Sequence, residues 1–210
     1  FMIRNTNRDR EENIRVQHAQ IEIYKKHNVP VARGGVMAAF GCNFEGEISP
    51  AKVIETIQEI IDIANEHDIE LEYYSLADTM GWASPHSIKR VIGAIRDKWP
   101  DIKIALHLHD TRGLGVANAY AGLEMGVTSF DASVAGLGGC PFAGKDGKPA
   151  AGNVCTEDLV FMCDEMGIET GVDLEKLIEA SLLAERIVGH DLPGSVKNGG
   201  SLAELRSRFA

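Results

Sequence analysis

Residues 102–110 read IKIALHLHD, and this stretch decides the fold because hydrophobic residues alternate in it with a second set that includes two histidines. Alternation with period two is typical of a β-strand, so His107 and His109 are expected on the same face. Parallel strands of α/β proteins are covered on both faces, and their ligands bind at the carboxyl ends of the strands. Two neighbouring imidazoles at such an end would suit a divalent metal ion. The alternative is a pair of buried histidines hydrogen-bonded to the backbone.

The composition is that of a single globular domain. The chain has 210 residues, of which 44% are hydrophobic and 25% charged, enough for a sizeable core. Its net charge of −10, without a lysine- or arginine-rich run, argues against nucleic acid or an anionic membrane as partner. No segment reaches the ~20 apolar residues of a membrane span, and no signal peptide is recognisable. Four cysteines without a CxxC pair indicate free thiols in a reducing compartment, for which we expect the cytoplasm.

Helical periodicity alternates with short apolar strands along the chain. A first helix is predicted over Arg10–Lys26, followed by the strand VARGGVMAAF and by GCNFEGEI as a loop. Ser49-Pro50 and Ser84-Pro85 each predict a helix start, with serine as N-cap and proline at the first helical position. Further predictions are strands at LEYYSLADT, IKIALHLHD and SFDASVAG, a helix over residues 117–125, a helix capped by Thr156, and a last long helix from Asp173 to Gly189.

Four βα units in series predict a parallel sheet with right-handed crossovers, whose strands end at one common edge. Four strands cannot close a barrel that needs about eight, so the chain has the pattern of half a barrel. Five polar residues are predicted at the common edge: Arg33, Asp78, His107, His109 and Asp131.

Four blocks of sequence resemble the hydroxymethylglutaryl-CoA lyase family, a branch of the metal-dependent DRE-TIM-type lyase and synthase barrels. They are ISPAKV, HLHDTRGLGVAN, DASVAGLGGCPFA and AAGNVCTEDLVFMCDEMGIETGVDL, and the resemblance extends from about residue 1 to about residue 202. It implies the α/β fold of a TIM (β/α)8 barrel, of which this chain would supply strands five to eight. Residues 1–210 would form one partial domain, with the half-barrel over 1–172 and a C-terminal helical extension over 173–210.

The resemblance also implies a metal site. His107 and His109 match two histidine ligands, and Asn153 matches an amide-oxygen ligand. Such a donor set suits Mg²⁺ or Mn²⁺ better than zinc. Cys140, in GGCP, matches a catalytic cysteine, whereas a small buried hydrophobic side chain would be the plain structural interpretation.

Four further residues match the family with less specific roles. Asp78 and Arg33 match a catalytic aspartate and arginine, although Asp78 could equally serve the start of a helix. Glu157 and Asp158 match acidic residues that would support the site, but at a helix start they would also complement the helix dipole. The remaining five histidines are expected at solvated helix surfaces; they are His18, His27, His67, His86 and His190.

The function implied by the resemblance is that of a carbon–carbon lyase. It would cleave a 3-hydroxy-3-methylglutaryl-CoA-like thioester to acetyl-CoA and a keto acid by a metal-assisted retro-Claisen reaction. The metal would lower the pKa of the substrate hydroxyl, and an acid and a base would move protons. We expect an acyl-CoA substrate and a homo-oligomer, in the form of a dimer.

Two alternatives stay open at this point. A synthase or aldolase of the same barrel group would share the two histidines, although the GGCP block argues against it. The family's first strand supplies an arginine and an aspartate, and no residue of this chain matches them. If nothing replaces these two residues, the chain would be a truncated, catalytically incomplete half-barrel. Cys140 and Asn153 are 13 positions apart, a longer connection than is typical of the lyases, and this leaves the acyl group undecided.

Overall fold

The computed structural model describes residues 1–144 and 152–209. Its strands are β1 (Arg33–Val36), β2 (Gly41–Cys42), β3 (Gly46–Glu47), β4 (Tyr73–Ala77), β5 (Ile104–His107) and β6 (Ser129–Asp131). Its α-helices are α1 (Met2–Thr6), α2 (Arg10–Lys26), α3 (Pro50–Glu66), α4 (Pro85–Lys98), α5 (Gly115–Glu124), α6 (Thr156–Glu165), α7 (Leu174–Val188), α8 (Val196–Gly199) and α9 (Leu202–Ser207).

The central sheet has four strands in the order β1-β4-β5-β6, and each neighbouring pair is parallel. The parallel sheet predicted from the βα units is therefore confirmed. In the described part of the chain, β1 and β6 each pair with one neighbour, so the sheet has two open edges. No helix of that part is long and apolar enough to cross a membrane.

The two serine-proline helix starts are confirmed. The side chain of Ser49 accepts a hydrogen bond from the backbone N–H of Lys52, and Ser84 forms a reciprocal capping box with Ser87. Because each cap fixes where its helix begins, the apolar stripes of α3 and α4 face the sheet. The Asp173 cap and the left-handed Gly189 end of α7 are confirmed as well.

The core lies between the central strands and the helices. Leu76 on β4 and Leu106 on β5 are fully buried, as are Ile57 on α3 and Ile92 on α4. Helix α5 approaches β5 so closely that a Cβ on Gly122 would lie 2.5 Å from the Leu106 side chain. This packing fixes the position of β5, the strand that ends in His107.

Four local predictions are wrong. The strand predicted at VARGGVMAAF ends at Val36, and residues 37–40 form a turn. GCNFEGEI forms the antiparallel hairpin β2–β3 rather than a loop, because Gly41 and Gly46 supply the positive φ angles of +148° and +79° that turn the chain there. The N-cap of α6 is Cys155 rather than Thr156, and the Cys155 side chain makes no capping hydrogen bond. The strand predicted at SFDASVAG ends at Asp131 and passes into a 3-10 turn over Val134–Gly136.

Helix α2 attaches to the neighbouring α3 through polar contacts, and α2 has no fully buried residue. His18 Nδ1 lies 2.8 Å from His67 Nε2, and His67 Nδ1 lies 2.9 Å from a carboxylate oxygen of Glu22. The expectation that both histidines are solvated is wrong for His67, whose side chain is 11% exposed. Its position just after α3 places it against α2, a contact that local sequence does not encode.

Candidate active site

The two histidines of the opening stretch reach one cleft at the carboxyl end of β5. His107 is the last residue of the strand, and His109 pairs with Asn153 in an isolated β-bridge. The Nε2 atoms of the two imidazoles face each other at 3.2 Å. The interpretation as buried histidines bonded only to backbone therefore does not describe His107, which is half-buried and has side-chain partners.

Asp131, at the end of β6, holds His107 in one orientation. Its Oδ2 atom lies 3.1 Å from His107 Nδ1, so the imidazole N–H on that side donates to the carboxylate. The Nε2 lone pair of His107 is then directed into the cleft. Two guanidinium nitrogens of Arg33 contact the same carboxylate, and one of them also donates to Ser75 Oγ at 2.8 Å.

The prediction that Arg33 lies at the carboxyl end of its strand is wrong, because it is the first residue of β1. Its long side chain nevertheless extends across the concave face of the sheet to Asp131. This contact joins the two outermost strands, since β1 and β6 lie at opposite edges. Arg33 therefore contacts the site through Asp131.

The charges of the site favour an ionised aspartate and a neutral histidine. Burial alone would raise the pKa of Asp131, but the hydrogen bonds and charges of Arg33 and His107 outweigh it and hold the pKa below its ordinary value. Burial lowers the pKa of His109, and the neighbouring His107 lowers it further. A neutral imidazole retains the lone pair that a metal ion requires.

Asn153 and Cys140 lie in the same cleft as the histidines. The amide nitrogen of Asn153 donates to the carbonyl of Leu137 at 2.7 Å, while its Oδ1 atom is buried without a hydrogen-bond partner in the described residues. The cleft has a volume of about 260 Å³. Its lining includes His107, His109, Asn153 and Cys140, together with Thr79 and Met37.

The donor set of the cleft fits a divalent cation. The Nε2 atoms of His107 and His109, which face each other at 3.2 Å, would be two nitrogen donors to the ion. The unpartnered Oδ1 of Asn153 supplies an oxygen donor. Within residues 1–144 and 152–209 no group of three or more His, Cys, Asp or Glu side chains is arranged to hold an ion. The ion would thus depend on the asparagine and on water or substrate oxygens.

Asp78 follows β4 and does not line the cleft. Its Oδ1 atom accepts hydrogen bonds from the backbone N–H groups of Trp82 and Ala83, at 2.7 and 3.0 Å, and so fixes the turn that leads into α4. The geometry agrees with the helix-start role, although Ser84 is the N-cap itself. Burial raises the pKa of Asp78 to about 6, against the lowering effects of these backbone bonds and of Arg112.

The raised pKa of Asp78 predicts a pH-dependent stability. Folded Asp78 keeps its proton up to about pH 6, whereas the unfolded chain releases it near 3.8, so this residue destabilises the fold as pH rises through that interval. In EDTA, Asp78→Asn should therefore gain stability relative to wild type, by up to about 3 kcal/mol between pH 4 and 7. Urea denaturation at several pH values measures this difference, and parallel pH profiles would contradict it.

Glu157 and Asp158, in the first turn of α6, also lie outside the cleft lining. Glu157 is 0% exposed, and its carboxylate accepts from the backbone N–H of Ala135, whose φ is +50°. Asp158 accepts from the N–H groups of Ser195 and Val196. Both carboxylates thus hold other segments of the chain against α6. This role is additional to the predicted one, in which they complement the helix dipole.

Sequence reasoning placed Asp131 at the strand edge and gave it no role, although it is the residue that links Arg33 to His107. The signal was present, because a carboxylate that ends the strand next to a histidine-bearing strand can orient the imidazole. Thr79 and Met37 in the cleft lining carried no such signal.

The four thiols are expected to differ in reactivity. Cys140 is partly exposed, whereas the other three are buried. Burial, followed by the charges of Glu157 and Asp158, raises the pKa of Cys155 to about 12, and burial raises the pKa of Cys163. Because the thiolate is the reactive form, iodoacetamide at pH 8 should modify Cys140 at least ~10-fold faster than Cys155. Time-resolved peptide mass spectrometry measures this ratio, and equal rates would contradict it.

A parallel βα sheet whose polar side chains meet at the carboxyl ends of its strands is the arrangement found in (β/α)-barrel enzymes. The HMGL-like family model matches residues 1–183, and the chain belongs to this family. The family predicted from the four sequence blocks is therefore confirmed.

Two curated relatives and one solved structure illustrate the similarity. The chain is 42% identical over 163 residues to (R)-citramalyl-CoA lyase of Chloroflexus aurantiacus, covering 78% of this chain and 48% of that protein. It is 41% identical over 180 residues to human mitochondrial hydroxymethylglutaryl-CoA lyase, covering 86% and 52%. A structure of an HMG-CoA lyase from Acenitobacter baumannii in complex with coenzyme A and 3-methylmalate superimposes with a TM-score of 0.82 at 36% identity, covering 95% of this chain and 61% of that one.

The chain spans about half the length of these curated relatives. Its four-stranded sheet is a partial (β/α)8 barrel, as the sequence predicted. The open edges of β1 and β6 are the places where the strands of a complete barrel would continue.

Proposed function

We propose that this chain carries the metal-binding and proton-transfer part of a carbon–carbon lyase that acts on a CoA thioester. The observation that carries the proposal is the convergence of His107, His109, Asn153 and Cys140, from three separate segments of the chain, on one cleft. Relatives named as HMG-CoA lyase and citramalyl-CoA lyase support the reaction class.

The substrate in this proposal is a 3-hydroxy-3-methylglutaryl-CoA-like thioester, and the products are acetyl-CoA and a keto acid. Lyases of the HMGL-like family are in general dependent on a divalent metal. The nitrogen and amide-oxygen donors of the cleft favour Mg²⁺ or Mn²⁺. When bound, such an ion would polarise the hydroxyl and acyl oxygens of the substrate and offset the charge of the enolate.

The residues of the chain would orient the donors and move a proton. Asp131 holds the His107 tautomer whose Nε2 faces the cleft, and Arg33 keeps that carboxylate ionised. A base removes the hydroxyl proton, the carbon–carbon bond breaks, and its electron pair stays on the acetyl-CoA carbon. The Cys140 thiol would then protonate that carbon, in keeping with its place in the cleft lining.

An assay of acetyl-CoA release tests the function in the natural protein that carries this chain. HMG-CoA, (R)-citramalyl-CoA and a 3-hydroxyacyl-CoA without the tertiary carbon form the panel, each with Mg²⁺, Mn²⁺ or EDTA. Metal-dependent cleavage of one of the first two substrates supports the proposal. Condensation in place of cleavage would assign the chain to the synthases, and no product from any substrate would overturn the proposal.

The second candidate is a catalytically incomplete half-barrel. The open edges of β1 and β6 in the described residues favour it. Metal binding without turnover is the result that would select it.

The same open edges support self-association, because unpaired strands bind further strands. We therefore propose a homo-oligomer, with a dimer as the expected form. The free state of all four cysteines supports a reducing compartment such as the cytoplasm.

A further inference from the structure

Asn43, at the turn between β2 and β3, bonds to two other segments through its side-chain amide. The Nδ2 group donates to the carbonyl of Phe142 at 2.7 Å, and the Oδ1 atom accepts from the indole N–H of Trp82 at 2.8 Å. An indole nitrogen is only a donor and a carbonyl only an acceptor, so the two partners permit one amide orientation. Asn43 thus links the segment after Cys140 to the segment after β4.

The Phe142 end of this link holds the turn that contains Cys140. The backbone N–H of Ala143 donates to the carbonyl of Cys140 at 3.1 Å, which closes the turn over residues 140–143. The Phe142 ring makes edge contacts with Phe1 and Phe44, with centroids 6.3 and 5.7 Å apart. Asn43 therefore bonds to the turn that contains Cys140, so a shift of this turn would also move the thiol.

The Trp82 end is fixed to the central sheet. The backbone N–H of Trp82 donates to Asp78 Oδ1 at 2.7 Å, and Asp78 directly follows β4. The indole ring packs on the hairpin so closely that a Cβ on Gly41 would lie 2.9 Å from it. The indole N–H is therefore held at a fixed distance from the carboxyl ends of the strands, where His107 lies.

We propose that Asn43 is a positioning residue for Cys140: its amide ties the 140–143 turn to Trp82 and thereby holds the thiol in the cleft that contains His107 and His109. The catalytic part of this inference rests on the proposed lyase function. The structural part concerns the exposure of one thiol, which can be measured without turnover.

The size of the effect follows from the nature of the bonds. Asn43 is exposed, and both hydrogen bonds are between neutral groups, so each contributes modestly and the aromatic contacts of Phe142 remain when they are lost. Removing the amide should release the turn in part and change the Cys140 reaction rate roughly 2- to 10-fold.

Alkylation of Cys140 by iodoacetamide, followed by peptide mass spectrometry, tests the structural part in the full chain. Asn43→Ala removes both bonds. Asn43→Asp keeps an acceptor for Trp82 and places a carboxylate against the Phe142 carbonyl, so it should accelerate the reaction at least as much as Asn43→Ala. Asn65→Ala, at an exposed position on α3, is the matched control and should react at the wild-type rate.

Two results would overturn the proposal. One is an unchanged Cys140 rate in both Asn43 variants. The other is an equal acceleration at Cys155 and Cys163, because those buried thiols report general loosening of the fold rather than release of one turn. Acceleration confined to Cys140 supports the proposal.

Turnover measurements on the natural protein separate positioning from substrate binding. Both Asn43 variants should lower kcat several-fold and change KM for the CoA thioester less than twofold, since Asn43 does not line the cleft. A raised KM with unchanged kcat would overturn the catalytic part. If the wild-type protein releases no acetyl-CoA, the proposed function fails and the alkylation rates alone decide the role of Asn43.

Discussion

Cys140→Ala is expected to lower acetyl-CoA release by about three orders of magnitude while Mn²⁺ affinity stays within about twofold of wild type. The thiol lies in the cleft with the histidines, and loss of a general acid typically costs a factor of ~10²–10⁴. The histidine and asparagine donors remain in place, so the metal site should persist. Steady-state kinetics of the natural protein and a Mn²⁺ titration by calorimetry measure the two quantities.

Cys163→Ala is the control for loss of a thiol. Cys163 is buried in the core on α6, away from the cleft lining, so its removal should affect stability more than turnover. A Cys140→Ala protein with near-normal turnover would remove Cys140 from the proton-transfer role. Equal losses in both variants would show that unfolding, rather than chemistry, is being measured.

His107→Ala is expected to weaken Mn²⁺ binding at least ~100-fold. It removes one of two facing nitrogens, and the remaining donors, His109 and Asn153, are both neutral. Calorimetry or the electron paramagnetic resonance of free Mn²⁺ measures the affinity in the chain itself, without any turnover.

Asp131→Asn is a second variant, for which we expect a smaller loss of Mn²⁺ affinity than for His107→Ala. It keeps the shape of the side chain but accepts more weakly from His107 Nδ1, so Mn²⁺ affinity should fall roughly 10-fold. His86→Ala, at an exposed position on α4, is the control and should bind Mn²⁺ like wild type. Unchanged affinity in His107→Ala would place the metal elsewhere.

Short sequence patterns predicted the positions of several helices and of the strand β5. Ser49-Pro50 and Ser84-Pro85 contain both the cap and the first helical residue, so neighbouring residues alone determine where α3 and α4 begin. The alternation in IKIALHLHD likewise predicted β5, although the strand ends at His107 and His109 follows it. The two imidazoles still face each other, as the alternation predicted. The helix predicted over Arg10–Lys26 has those bounds in the structure.

The contacts that complete the site depend on residues far apart in the chain. Arg33 meets Asp131 across 98 positions, and Asn43 meets Phe142 across 99. Periodicity and capping patterns extend over a few turns or strands at most, so they contain no information about such pairs. The family resemblance pointed to the histidines, Cys140 and Arg33 because its motifs encode those side chains, but the contact between Arg33 and Asp131 is visible only in three dimensions.

The Arg33–Asp131 ion pair also reveals the shape of the sheet. Its partners stand on the first and last of four strands, whose backbones in a flat sheet would be about 14 Å apart, at roughly 4.8 Å per step. Direct contact across that span agrees with the curved sheet of a partial barrel. The ion pair would hold the two outer strands in this curved arrangement around His107. Further strands of a barrel could then pair with sheet edges that already have the required curvature.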